Sequence, residues 1–146
     1  MEWRWQTMDE LSKTELYAIL RARQEVFVVD QKIRYVDADG KDFSCFHLSG
    51  WVHDELVAYL RVIPVPETGV YKIGRVLTRL AYRGQGLGQG LMQELLRRAT
   101  HELAPCHLTM AAQLYLENFY QKFGFVSEGA VFWEEGIEHI TMSRTV

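Results

Sequence analysis

The sequence predicts a mixed α/β (α+β) fold, in which one mostly antiparallel sheet of about seven strands is flanked by helices in the order β-α-β-β-β-α-β-α-β-β. Short apolar and β-branched runs separated by turn residues fill residues 46–79 and predict successive hairpin strands. Apolar residues at helical spacing at 16–27, 91–99 and 116–123 predict three helices. The chain has 146 residues, 48% of them hydrophobic, so we expect residues 1–146 to form a single domain.

The first half of the chain is predicted to supply a strand, a helix and three antiparallel strands. Trp3 to Thr7 is the first strand. Ser12-Lys13-Thr14-Glu15 is a capping box, in which the Ser hydroxyl and the Glu carboxylate bind free backbone N–H groups at the start of a helix that runs towards Val28. A polar loop covers residues 30–41. The strands that follow are Phe46 to Val52, Leu56 to Ile63 and Val70 to about Arg79, with turns at His53-Asp54-Glu55 and from Pro64 to Gly69.

The second half is predicted to alternate helices with strands. A helix begins at Leu87 and ends near Pro105, and a strand follows from His107 to Gln113. A second helix has Leu116, Phe119, Tyr120 and Phe123 on one face and Gly124 as its left-handed cap. The final hairpin turns at Glu134-Glu135-Gly136 and continues through His139-Ile140-Thr141-Met142.

Composition argues against several classes of function. A net charge of -3 and a pI near 5.9 do not suit a nucleic-acid-binding domain, which usually carries a basic face. No apolar run approaches the ~20 residues that span a bilayer, and Met1-Glu2-Trp3-Arg4-Trp5 lacks the pattern of a signal peptide, so we expect no membrane partner and a cytoplasmic location.

The residues that bind metals in other proteins show no ligand spacing here. Cys45 and Cys106 are far apart, and the five histidines are scattered. In Asp37-Ala38-Asp39-Gly40-Lys41-Asp42 the glycine is fourth, whereas an EF-hand loop needs it sixth. We therefore expect no metal.

The most informative motif is Arg83-Gly84-Gln85-Gly86-Leu87-Gly88, which follows a strand and opens a helix. A helix N-terminus offers free N–H groups and a positive dipole end, glycines let a ligand approach the backbone closely, and an arginine adds a forked donor for phosphate. The order of residues fits neither a Walker A loop, since Gln89 follows Gly88, nor a Rossmann fingerprint. On its own the motif fits either a binding site for an anion such as phosphate or a flexible turn between strand and helix.

A second motif, Leu116 to Phe125, lies about thirty residues further on, and together the two segments resemble the GNAT superfamily of N-acetyltransferases. Arg83, Gly86 and Gly88 match the coenzyme loop Arg/Gln-x-x-Gly-x-Gly/Ala of that family. Asn118, Tyr120 and Gly124-Phe125 match its later helix. Further segments resemble the ElaA-type branch, and they extend over nearly the full chain: Val26 to Gln31, Asp37 to Gly40, Tyr59-Leu60-Arg61, Ile73 to Val76, Ala112-Gln113 and Gly136 to Ile140.

The resemblance implies the GNAT fold and transfer of acetyl from acetyl-CoA to a primary amine by direct attack in a ternary complex. It also implies a set of coenzyme-binding residues: Val76, Leu77, Thr78, Arg83, Gly84, Gln85, Gly86, Leu87, Gly88, Asn118 and Tyr120. In the family, a bulge in the strand before the glycine loop exposes backbone groups to the coenzyme, and the N–H of Leu77 is the expected oxyanion donor. Tyr120 is the expected general acid for the departing thiolate.

Several questions stay open at the level of sequence. The strand Val70 to Arg79 contains no carboxylate, so the general base could be His139, Glu25, Asp37 or a chain of waters. Arg61 and Arg75 lie within strands and need polar partners there; Arg75 either lines the acceptor pocket or pairs with an acid of the 30–42 loop. A non-catalytic module that binds or senses acyl-CoA is the alternative function. A homodimer through edge strands is the expected assembly, if the chain self-associates.

Overall fold

The computed structural model describes all residues from Met1 to Val146. A π-helical segment, Gln24–Asp30, continues the first helix without a break. The seven strands are β1 (Glu2–Thr7), β2 (Phe46–Val52), β3 (Glu55–Val65), β4 (Val70–Thr78), β5 (His107–Gln113), β6 (Val126–Glu134) and β7 (Ile137–Thr145), and the helices are α1 (Lys13–Arg23), α2 (Leu87–Glu102) and α3 (Glu117–Gln121). None of these helices combines the length and the apolar character needed to cross a membrane.

All seven strands form one sheet in the order β1-β2-β3-β4-β5-β7-β6. Every neighbouring pair is antiparallel except β4 and β5, which are parallel and are joined through α2. The predicted fold class, a mixed α/β protein with a single, mostly antiparallel sheet of seven strands, is confirmed.

The sheet has a core on each face. On one face, α2 and α3 cover a large cluster that includes Leu91, Leu95, Tyr120, Ile140 and Met142. On the other face, α1 and the π-helical segment cover a smaller cluster formed by Ile19, Ala22, Val26, Trp51, Leu56, Tyr59 and Leu77. We call these the α2 face and the α1 face.

Two differences from the predicted boundaries bear on the shape of the sheet and its helices. Pro64 and Val65 belong to β3, where they pair with Tyr71 and Val70, and not to the turn. Proline has no N–H and is tolerated in a ladder only where no donor is needed. Because both residues belong to β3, the turn is limited to residues 66–69. The first helix is α-helical only to Arg23, after which the π-helical segment carries it to Asp30.

The capping box predicted at the start of α1 is confirmed. The Glu15 N–H donates to Ser12 Oγ at 3.0 Å, and the Ser12 N–H donates to Glu15 Oε1 at 2.8 Å. These two bonds fix where α1 begins and therefore which of its residues face the sheet.

Candidate functional site

A wedge separates β4 from β5 over the second half of both strands. The two strands pair from Val70 with His107 to Ile73 with Met110, and no pairing continues beyond that point. Since β4 runs on to Thr78 and β5 to Gln113, the open part lies at the carboxyl ends of two parallel strands. In open α/β sheets this is where ligands commonly bind.

A bulge in β4 lies beside the wedge. The register with β3 shifts between the pairs Arg61–Gly74 and Tyr59–Leu77, so β4 has one extra residue here. Arg75 takes a φ of +52°, a left-handed conformation that non-glycine residues seldom adopt. The bulge is therefore centred on Arg75 and Val76, at the start of the predicted segment Val76-Leu77-Thr78.

The register also decides which backbone groups of β4 face the wedge. The Arg79 N–H donates to the Val57 carbonyl at 2.9 Å and so points to β3. Successive N–H groups of a strand alternate in direction, so the Leu77 N–H also points to β3, and those of Val76 and Thr78 point to the wedge. The expected donor, Leu77, is thus directed away from the wedge, whereas its two neighbours are well placed.

The glycine loop leaves a run of backbone donors free. Gly84 and Gly86 have φ values of +80° and +75°, and Gly86 is the N-cap of α2. None of the N–H groups of residues 84–89 has a hydrogen-bond partner in the protein. The positive end of the α2 dipole lies at the same place, so the loop is suited to bind an anion.

Arg83 stands beside this run of donors. Its side chain is 46% exposed, and its Nε donates to the Thr78 carbonyl at 3.3 Å. Its Nη1 lies 3.6 Å from Asp30 Oδ2 of the π-helical segment. Of the other predicted coenzyme-binding residues in the loop, Gln85 is exposed, whereas the side chain of Leu87 packs against the core of the α2 face.

Gly88 lies where the glycine loop, β4 and α3 meet. A methyl group on its Cα would lie 3.5 Å from the Phe119 ring and 4.0 Å from Thr78 Oγ1. A larger side chain would fill the space between these groups, so glycine keeps the wall of the wedge open here.

Tyr120 lies on the α2 face, 4% exposed, with its ring against Phe119 and Phe125. Its hydroxyl makes no hydrogen bond to the protein, and burial raises the pKa of Tyr120 to about 12. The side chain is therefore protonated across the physiological range. Asn118 is exposed on another side of α3 and is open to a ligand.

Three arginines and three aspartates anchor the loop after α1 to the sheet. Arg23, fully buried, binds Asp37 and Asp42, each at 2.7 Å. The other ion pairs of this network are Arg61 with Asp39 and Asp42 and Arg75 with Asp37 and Asp39, at 2.7–3.5 Å. The prediction that Arg61 needs partners is confirmed, and Arg75 takes an acid of the 30–42 loop.

The network holds its carboxylates in the charged form. The hydrogen bond from Arg61 is the main cause that lowers the pKa of Asp39. For Asp42, burial alone would raise the pKa, but the hydrogen bonds and charges of Arg23 and Arg61 outweigh it and lower the pKa. Tyr35 donates to Asp37 at 2.9 Å and lies against the Arg75 guanidinium.

Sequence reasoning missed Arg23 as a member of this network. A signal was available, since Arg23 falls on the stripe of α1 that contains Ile19 and Phe27, and an arginine on an apolar stripe needs a buried acid. The partners, Asp37 and Asp42, were not predictable because they lie 14 and 19 residues away in an irregular loop.

The three protein groups considered as general base have different surroundings. Glu25 is bound by Arg21 at 3.1 Å and Arg79 at 3.3 Å, and Asp37 by Arg23 and Arg75. His139 alone has no arginine partner; its Nδ1 lies 2.7 Å from the Ile137 carbonyl.

Comparison with known proteins shows which family the chain belongs to. The Acetyltransferase (GNAT) domain family matches residues 23–146. Protein ElaA of Escherichia coli strain K12 is 42% identical over 149 aligned residues, which cover 100% of this chain and 97% of ElaA. Its crystal structure superposes with a TM-score of 0.93 over 99% of both chains.

Two further solved structures share the fold. An acyl-CoA N-acyltransferase from Pseudomonas aeruginosa has 38% identity and a TM-score of 0.94, over 99% of this chain and 100% of the other. An aminoglycoside 6'-N-acetyltransferase complexed with coenzyme A has 14% identity and a TM-score of 0.75, over 99% and 97% of the two chains, and shows the fold alone. With the family match and the full-length likeness to ElaA, the resemblance predicted from the glycine loop and the Tyr120 segment is confirmed: the chain belongs to the GNAT acetyltransferase family.

Proposed function

We propose that the protein transfers acetyl from acetyl-CoA to a primary amine by direct attack in a ternary complex. The observation that carries this proposal is the run of unpartnered N–H groups at residues 84–89, which opens directly beside the wedge between β4 and β5. A pyrophosphate is the part of the coenzyme whose charge and size suit such a run.

In this proposal, different residues around the wedge bind different parts of the coenzyme. The glycine loop and Arg83 bind the pyrophosphate. The pantetheine arm lies along the edge of β4 that β5 leaves free, where Val76 and Thr78 offer backbone groups. Asn118 and Tyr120 of α3 border the arm on the α2 face. The P. aeruginosa acyl-CoA N-acyltransferase and a GNAT acetyltransferase from Elizabethkingia anophelis with acetyl-CoA bound agree with a coenzyme of this class.

The chemistry needs a neutral amine, a stabilised oxyanion and a proton for the leaving thiolate. The amine nitrogen attacks the thioester carbon, a C–N bond forms, and the carbonyl oxygen becomes an oxyanion. The N–H of Val76 or Thr78 donates to this oxygen, the role expected of Leu77 from the family pattern. The C–S bond then breaks, and Tyr120 gives its proton to the thiolate.

Tyr120 is in the protonated state that a proton donor to the thiolate needs. Because burial raises its pKa to about 12, the phenol carries its proton at every physiological pH and gives it up only as negative charge develops on sulfur. A thiol titrates near ~8.5, well below this phenol, so the phenolate regains a proton at once from the acylated nitrogen, which must lose one to become the amide.

The cysteines favour direct attack over an acetyl-cysteine intermediate. Burial raises the pKa of the Cys45 thiol to about 11, and its Sγ lies 3.1 Å from the Lys41 carbonyl. Cys106 is buried and its pKa is also raised by burial. A buried thiol with a raised pKa is a poor nucleophile, so neither residue is suited to take the acetyl group.

Calorimetric titration with acetyl-CoA tests the proposal. We expect the wild type to bind, and the double variant Arg83→Ala, Gly86→Asp to bind at least about tenfold more weakly, since it loses a cation and places a carboxylate at the start of α2. Arg97→Ala removes an equally exposed arginine from the outer side of α2 and is the matched control. No heat of binding at millimolar coenzyme would overturn the proposal.

Turnover separates the enzyme from a sensing module. With acetyl-CoA and a panel of primary amines, free thiol should appear with the wild type. In a module that only binds acyl-CoA, the titration would succeed and no amine would release thiol.

A further inference from the structure

His139 lies in the same row of the sheet as the reacting part of β4. On β7, His139 pairs with Gln113 of β5 and with Phe132 of β6. On the other side of the wedge, Leu77 pairs with Tyr59. The parallel register of Ile73 with Met110, continued past the extra residue of the β4 bulge, places Leu77 level with Gln113. The row across the sheet is therefore Tyr59, Leu77, the wedge, Gln113, His139 and Phe132.

All these side chains lie on the α1 face. Leu77 belongs to the core under α1, whereas Met110, Ala112 and Ile140 belong to the core under α2 and α3. Since successive residues of a strand point to opposite faces, Gln113 and His139 point to the α1 face. Tyr120 lies on the opposite face. An amine that enters the wedge from the α1 face thus meets Gln113 and, one strand further, His139, while Tyr120 lies on the opposite face beside the thiolate.

Hydrogen bonding fixes the tautomer of His139. A carbonyl oxygen can only accept, so the contact of 2.7 Å with the Ile137 carbonyl places the proton of the neutral ring on Nδ1. Nε2 then carries the lone pair. It makes no hydrogen bond to the protein, and its one charged neighbour within 4 Å is Glu134 Oε2, at 3.7 Å. The ring stacks on Phe132 at 26°, and the residue is 7% exposed, so the imidazole is held in place.

The other two protein candidates are carboxylates that arginines already bind. The carboxylate of Glu25 is shared by Arg21 and Arg79. Asp37 accepts from Arg23, Arg75 and Tyr35, so most of its acceptor positions serve the network that holds the loop. Both carboxylates are thus engaged by arginines, whereas His139 Nε2 makes no hydrogen bond to the protein.

We propose that His139 Nε2 is the proton acceptor for the acceptor amine, directly or through one water. The inference rests on the proposed acetyl transfer and names its missing group. The ammonium form of the amine gives one proton to Nε2, the free lone pair attacks the thioester carbon, and the imidazolium passes the proton to solvent.

The test is the pH dependence of kcat/KM with the best amine found in the thiol-release panel. For the wild type we expect an acidic limb between about pH 5 and 8, where histidines gain their proton. His139→Asn keeps an amide donor for the Ile137 carbonyl but removes the base. It should lower kcat/KM by about a hundredfold and abolish the acidic limb, with acetyl-CoA affinity unchanged by calorimetry.

Two variants make the outcome specific. His107→Asn makes the same change at the far end of β5, away from the wedge, and should keep both rate and limb. Glu134→Gln removes the carboxylate 3.7 Å from Nε2 and should keep both rate and limb, because the proton acceptor is Nε2 itself.

The two proposals fail in different ways. If the wild type releases no thiol with any amine, the acetyl transfer itself is wrong, and this inference with it. If the wild type is active but lacks an acidic limb, or if His139→Asn keeps it, His139 is not the base and the acetyl transfer stands. His139→Gln serves in place of His139→Asn if the latter does not fold, as judged by circular dichroism.

Discussion

Arg83 has two possible partners, a carboxylate of its own chain and the ligand expected at the glycine loop. Asp30 Oδ2 lies 3.6 Å from Arg83 Nη1, and both side chains are more than a third exposed. A pair of this kind contributes ~0–1 kcal/mol and weakens with salt. A pyrophosphate bound at residues 84–89 would compete with Asp30 for the guanidinium, so the pair opposes coenzyme binding slightly.

Asp30→Asn is therefore expected to tighten acetyl-CoA binding. The dissociation constant should fall by about two- to fivefold at low salt, and the gain should shrink at high salt. Titration calorimetry at two salt concentrations measures both effects, with Asp9→Asn, the same change of charge at a site outside any ion pair, as the control. Weaker binding by Asp30→Asn would show that Asp30 supports the coenzyme site.

Tyr120→Phe isolates the hydroxyl from the ring. The ring packs against Phe119 and Phe125, and the hydroxyl has no protein partner, so the variant should fold normally. As the loss of a general acid, it should lower kcat by about 10²–10⁴ with little change in acetyl-CoA affinity. Steady-state kinetics and calorimetry on the same preparation test this, and an unchanged kcat would remove Tyr120 from the chemistry.

The loop after α1 depends on the Arg–Asp network for its position. Arg23→Leu leaves the buried carboxylates of Asp37 and Asp42 without their main partner, and we expect a loss of about 3–5 kcal/mol in the free energy of unfolding. Arg21→Leu, two residues earlier and on the exposed side of α1, should cost less than about 1 kcal/mol. Urea unfolding measures both losses. If Arg23→Leu costs no more than Arg21→Leu, the network does not stabilise the fold.

The same network predicts how stability depends on pH. In the folded protein the pKa values of Asp39 and Asp42 are lowered, so between those values and the ~3.9 of an unfolded aspartate the unfolded chain binds more protons. Stability is then fully present above about pH 4–5 and falls as the pH drops through the folded pKa values. Asp39→Asn should make this acid loss less steep, which urea unfolding from pH 7 to pH 2.5 measures; an identical slope would contradict it.

At the scale of the whole molecule, the sheet consists of β1–β4 and β5–β7, joined by four residue pairs. The amides of Val76 and Thr78 face the wedge and have no strand partner there, so they should exchange hydrogen rapidly in the free protein and slowly with acetyl-CoA bound. Hydrogen exchange resolved by residue tests this. Protection of these two amides in the free protein would contradict the direction inferred from the register.

The expected homodimer stays a prediction, and the structure names the edge to test. The sheet ends in β1 and β6, and β6 exposes Val126, Val131 and Trp133. An edge strand with exposed apolar side chains is a site of self-association. In sedimentation experiments, the wild type should form a dimer and Trp133→Lys should dimerise more weakly. If both proteins are monomeric, the prediction is wrong.

The fold could be predicted from the sequence because the patterns that mark helices and strands are local. The period of apolar residues marked each helix and strand, and the capping box of Ser12 and Glu15 marked the start of α1. The glycine loop was recognisable for the same reason. The direction of the Leu77 N–H was not, because one extra residue in β4 changes the register with β3, and no local pattern shows a bulge. The partners of Arg23 were hidden in the same way, since tertiary packing selects them.

The π-helical turn has a meaning in terms of insertion and deletion. Glu25 and Asp30 are five residues apart, yet both reach arginines after β4, Arg79 and Arg83. In a π-helix, whose bonds run from residue i to i+5, they lie one turn apart, as residues i and i+4 do in an α-helix. The segment is thus equivalent to an α-helix that has gained one residue. A homologue shortened by one residue between these two acids could keep both ion pairs on an unbroken α-helix.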